Sequence, residues 1–173
     1  MGNALLDPLR HNSWATCQLL EHCQRLTPEQ LHATSEGNYG SILETLQHIL
    51  GAEGRYRSRL SGKAPGWTTE PENTESLDQL IPMADALSRY WEELGASDFD
   101  PDRMVSWNSQ MSGAHSEAAA GMLVAQVLNH GNEHRAQIFT ILTTIGEEPP
   151  NLDAWSYGLA TGRFRETPAR SPS

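Results

Sequence analysis

At 173 residues, with 38% hydrophobic and 20% charged side chains, the chain is long enough for one domain with a core and shows no signature of disorder. Its formal net charge of -10, with no basic cluster to overturn it, argues against nucleic acid and anionic membranes as partners, since both are held by Lys and Arg. No apolar run approaches the ~20 residues that a membrane helix needs.

The first residues, MGNALLDPLRHN, show no basic stretch leading into an apolar core, so no signal peptide is expected. Leu6 stands where a myristoylation signal wants Ser or Thr. A helix is expected over residues 4–26, with Leu5, Leu9, Thr16, Leu20 and Cys23 near one stripe and Pro8 in or just before its first turn. On one helix Cys17 and Cys23 are ~9 Å apart along the axis, too far for a disulfide. They read as reduced packing residues, and a cytoplasmic location is expected. TPEQ (27–30) then supplies a capping box for a short turn.

GNYG (37–40) breaks the chain, and Ser41 with Glu44 forms a second capping box. The helix that follows runs to about Leu60, with Ile42, Leu46, Ile49, Tyr56 and Leu60 on one side. Residues 61–75 read as a loop. The clearest helical period is Leu77, Leu80, Ile81, Ala84, Leu87, Trp91 and Leu94, with Pro82 marking either a kink or the true helix start. Residues 97–115 lose that period, and the alternation over 104–109 suggests a short hairpin or extended loop. A last long helix is expected from near Ser116 to a glycine stop at Gly146, closed off by Pro149 and Pro150. Trp155 and Tyr157 lie in a tail that can pack back on the body. The expected architecture is all-α: a single four-helix bundle domain over residues 1–160, with an irregular or hairpin segment between the third and fourth helices and a frayed tail over 161–173.

His130 and His134 stand one turn apart in that last helix. On a helical wheel with His130 at zero, His134 falls at ~40°, Leu123 and Ile141 at ~20°, Val127 and Ile145 at ~60°, so both imidazoles turn into the apolar stripe. Buried imidazoles need partners. Either each finds a carbonyl or carboxylate, or the two share a metal ion. His48, at the edge of the second helix's stripe, favours the metal, because bundle sites are built from facing helices. His11, His22, His32 and His115 read as surface or structural, with His115 able to approach the site.

SILETLQHILGAE, followed by NHGNEHRAQIFTIL closing at Gly146 with EEPP beyond, is similar to the DinB/YfiT-like family of four-helix bundles, and NSWAT (12–16) and LTPEQL (26–31) resemble its first-helix region. The resemblance covers about residues 4 to 157. It implies that His48, His130 and His134 bind one divalent metal, with zinc or nickel favoured over iron or manganese. Arg135-Ala136-Gln137 departs from the Arg-Gly-Gln frequent in the family. Members of known activity include metal-dependent transferases of low-molecular-weight thiols and a thiol-dependent maleylpyruvate isomerase. The resemblance also implies a homodimer acting on a small-molecule substrate. The family name refers to DNA-damage induction, but the acidic charge gives no support for DNA contact.

Three neutral ligands leave a coordination position open. Three functions follow in order: S-transfer from a metal-held thiol cosubstrate, a non-catalytic metal staple or ion sensor, and hydrolysis by metal-activated water. Glu44, one turn before His48, and Gln137, at ~-20° on the wheel, are candidates to orient the ligands. Trp107, Asn108 and Met111 are candidates for a pocket mouth. Glu133 reads as solvated, and Arg135 as a surface or interhelix ion-pair former.

Overall fold

The computed structural model describes residues 5–64, 67, 76–109 and 113–167. Among the described residues six helices and one two-stranded sheet follow in order: α1 (Leu6–Cys23), α2 (Pro28–Leu31), α3 (Ile42–Ser61), α4 (Leu77–Ala96), β1 (Met104–Asn108), β2 (His115–Ala119), α5 (Ala120–Thr144) and α6 (Ala154–Thr161). Four of them are long. α1 packs on α4 and α5, and α3 packs on the same two helices. Leu9, Leu19, Ile42, Leu46, Ile49, Leu80, Leu87, Trp91, Leu123, Ile138 and Ile141 fill the space between them and are essentially inaccessible to water. Each such side chain contributes about 1.5–3 kcal/mol by leaving solvent. Among the described residues, no helix is long and apolar enough to cross a membrane.

Both capping boxes form as the sequence predicts. The Thr27 hydroxyl accepts from the Gln30 amide, and the Gln30 side chain accepts from the Thr27 amide. Ser41 and Glu44 do the same for α3, with the Glu44 carboxylate 2.8 Å from the Ser41 nitrogen. Gly62 ends α3 at φ +69, a left-handed conformation that costs glycine little. Pro8 lies in the first turn of α1. α4 begins at Leu77, and Pro82 is carried within it on the exposed side.

Two expectations are corrected. The helix expected from Ser116 starts at Ala120, because residues 115–119 pair with β1 as an antiparallel hairpin in the register Met104↔Ala119 to Asn108↔His115. Pairing buries Val105 beside its partner Ala118, and this outweighs the helix preference of the alanines. Among the described residues no side chain caps α5. Instead the amides of Ala120 and Gly121 donate to the carbonyls of Arg103 and Pro101, at 2.9 and 2.8 Å. The helix start is thus fixed by a distant backbone, which leaves no local capping signal. The tail from Asn151, for which no helix is expected beyond Pro149 and Pro150, forms α6, capped by Asp153 accepting from the Ser156 amide. Tyr157 does pack back, against His11 and Trp14, while Trp155 remains exposed and meets Phe164.

The other sequence expectations find plain structural roles. Cys17 and Cys23 are free thiols, and burial pushes Cys23 up to about 12. His11 donates to the Leu152 carbonyl, and His32 to that of Pro28. His22 lies beside Arg25. The loop expected over 61–75 and the candidate Met111 fall largely or wholly outside the described residues.

Candidate metal centre

Residues 82 apart in the chain meet where α3 faces α5: Nε2 of His48 lies 3.1 Å from Nε2 of His130. The His134 ring stands 4.6 Å from that of His48 and 4.4 Å from that of His130, centre to centre. One ligand nitrogen from each of the three falls within 4.8 Å of the others. Two nitrogens bound ~2.0–2.1 Å from one ion in tetrahedral directions stand about 3.3 Å apart, so the His48–His130 pair is already near a coordinating separation. The cluster can hold a metal ion. The apolar stripes of the two helices bring it about: Leu46, Ile49, Val127, Ile138 and Ile141 belong to the core that α3 and α5 share, which sets the faces the two helices turn to each other.

The electrostatics favour the neutral, ligating form. Burial pushes His48 down to about 4, aided by the nearby His134 and Arg55. His130 is also pushed down to about 4, first by burial and then by His134, His48 and Arg55. Among the described residues Nδ1 of His130 is a buried nitrogen with no hydrogen-bond partner, so the ring's one hydrogen-bond contact is the His48 nitrogen.

His134 is tied. Its Nδ1–H donates to Oε1 of Gln137 at 2.8 Å, which fixes the tautomer and leaves Nε2 with a lone pair to give. Gln137 also anchors the segment before α3, since its carbonyl accepts from the Asn38 side chain and its Oε1 from the Tyr39 amide. That anchoring lays the Tyr39 ring flat on His48, with centroids 3.9 Å apart at 26°, and edge-on to His134. Sequence reading treated GNYG only as a break. An aromatic residue in a tight turn just before a ligand-bearing helix was the available signal.

The remaining candidates distribute as follows. The Glu44 carboxylate is engaged by the Ser41 cap, so its structural role is the one the geometry shows. Trp107 stacks on the guanidinium of Arg59. Asn108 is exposed and accepts from His115, which also lies near Glu117, so both stay on the hairpin. Glu133 is exposed, as expected.

Arg135 is not on the surface. It is 5% exposed, and its Nη1 donates to Asn12 Oδ1 and Thr16 Oγ1 of α1, each at 3.0 Å. The Asn12 amide in turn donates to Glu53 Oε1, and the Trp91 indole to Glu53 Oε2, both at 2.9 Å. A polar network thus joins all four long helices one residue away from His134. Burial pushes Glu53 above its usual range, opposed by the two donors and by Arg135. Gly131 makes room for it, because a Cβ there would come 2.7 Å from Asn12 Oδ1 and 2.9 Å from Arg135 Nη1. Sequence reading missed Asn12 and Glu53, yet both lie on apolar stripes: Glu53 follows Ile42, Leu46 and Ile49, and Asn12 sits between Leu9 and Thr16.

A separate cleft of about 260 Å³ opens between α5 and residues 150–153. Its α5 residues Asn132, Arg135, Ala136 and Phe139 lie at ~140–240° from His130 on the helix, so it is on the far side from the histidines.

A family model described as the DinB family matches residues 1–167. No curated protein matches the chain.

Proposed function

This chain belongs to the DinB family, and from that premise we propose that it is a metal-dependent S-transferase of low-molecular-weight thiols, built on that family's four-helix bundle. One divalent ion, with zinc or nickel favoured over iron or manganese, is held by His48, His130 and His134. The observation that carries this reading is the convergence of three imidazoles from two helices, with their ligand atoms within 4.8 Å of one another and two of the rings held neutral by burial. When bound, such an ion supplies a double positive charge that deprotonates a thiol at the position left open by three protein ligands.

The chain's own residues prepare that site. Gln137 fixes the His134 tautomer, so that the ligand nitrogen needs no proton rearrangement. Tyr39 covers one face of His48 and excludes water from it. The Asn12–Glu53–Arg135 network holds α1, α3 and α5 in register, which keeps His48 opposite His130 and His134.

Thiol consumption by the metal-loaded protein, measured against a panel of electrophiles, tests the proposal. Turnover that needs both thiol and metal, and disappears in His134→Ala, is expected. Hydrolysis without thiol would move the assignment to a metal hydrolase. Loss of stability on metal removal, with no turnover under any condition, would leave a structural staple.

A further inference from the structure

Three of the chain's 12 Lys and Arg residues, Arg55, Arg57 and Arg59, fall within five positions of α3 in a protein of net charge -10. Their helical phase separates them. Arg55 and Arg59 lie at ~-20° and ~20° from His48 around the helix, on its own stripe, whereas Arg57 lies at ~180°. Accordingly Arg57 stands over Tyr90 and Trp67, away from the histidines.

Arg59 is held by two aromatic faces. Its guanidinium carbon is 4.5 Å from the centroid of Trp107 and 5.5 Å from that of Tyr56. The Tyr56 ring in turn meets the His130 ring edge-on at 6.1 Å. An unbroken row of side chains therefore runs from the histidine cluster to this guanidinium. No carboxylate pairs with Arg59 among the described residues, whose ion pairs are made by Arg10, Arg163 and His115. Arg55 adds a second positive charge that bears on His48, His130 and Arg59 alike. A half-buried guanidinium fixed by stacking, with no carboxylate partner among the described residues, is oriented for an incoming planar anion.

We propose that Arg59, supported by Arg55, binds the carboxylate of a small thiol whose sulfur end occupies the three-histidine site, with Tyr56 and Trp107 as the wall between them. This rests on the metal-and-thiol reading above and adds the class of cosubstrate: a thiol carrying a carboxylate at a distance, not a short neutral one. The rise from His48 to Arg59 is ~16 Å, and the arginine side chain leans back toward His48, so the ligand must span less than that.

The test uses the cobalt-loaded full chain, in which a bound thiolate gives a sulfur-to-metal charge-transfer band. Mercaptopropionate, mercaptohexanoate and mercaptooctanoate are titrated beside the mercaptoalcohols of matching length. The longer acids are expected to bind about tenfold tighter than their alcohols, the weight of one charge-assisted hydrogen bond, and the gap should narrow as salt is raised. Arg59→Met should abolish the gap while leaving the cobalt spectrum and the alcohol affinities unchanged, and Arg59→Lys should keep most of it. Bands with equal affinities for acids and alcohols, or a gap that survives Arg59→Met, would overturn this inference alone. No thiolate band with either series would overturn the thiol reading and this inference together.

Discussion

Nε2 of His48 and Nε2 of His130 approach to 3.1 Å across the interface of α3 and α5. Two neutral imidazoles at that distance satisfy each other only if one donates its single Nε2 proton, and then the nearby His134 has no claim on either. A shared cation accommodates all three rings at once. The following outcomes are expected from that relationship and from the residues around it.

Elemental analysis of the purified protein should find close to one divalent ion per chain, and His134→Ala should lose it. Free metal at a hundredfold excess over its Kd should stabilise the fold by about 2.7 kcal/mol, seen as a raised Tm that a chelator reverses. Retention of full metal content by His134→Ala would rule out this ligand set.

Gln137→Leu should weaken metal binding by roughly 10–100-fold, the usual consequence of removing the partner that orients a ligating histidine. The helical circular dichroism should be unchanged, because Gln137 is only half-buried and helps no core packing. A chelator-competition titration measures the ratio. An unaltered affinity would mean that the 2.8 Å contact with His134 does not set the ligand's tautomer.

The metal-free fold should lose stability as pH falls from 6.5 to about 4. His48 and His130 titrate at about 4 when folded but near 6.5 when unfolded, so in that window the unfolded chain binds more protons. Stability therefore rises with pH across the window and levels above it. Urea midpoints at a series of pH values give the slope. His48→Gln combined with His130→Gln should flatten it, and a slope that persists in the double variant would place its origin elsewhere.

Asn12→Ala should cost about 2–4 kcal/mol in urea unfolding, since it leaves both Glu53 and Arg135 short of a buried partner. Gly131→Ala should also destabilise, by about 1–3 kcal/mol, although alanine is the better helix former. Its Cβ would displace the Asn12–Arg135 contact. A neutral or stabilising result at Gly131 would show that the network yields without cost.

The sequence by itself determined the helices that carry the site, both capping boxes and the candidate ligands, because each of these is local. A 3.6-residue period, a Ser or Thr three residues before Glu or Gln, and two histidines one turn apart are written in adjacent residues. The wheel makes Gln137 a candidate neighbour of the histidines, since it belongs to the same helix. What only the tertiary structure decided depends on which helix faces which. A wheel gives an angle but names no neighbour. α5 is flanked on two sides, so Arg135, turned ~140° from His130, looked external yet meets Asn12 of α1. The same holds for β2, whose alanines favour a helix until β1 lies beside them, and for Tyr39, which reaches His48 only because Gln137 anchors its loop. Long-range pairing supplies the free energy at these positions, and no stretch of adjacent residues records it.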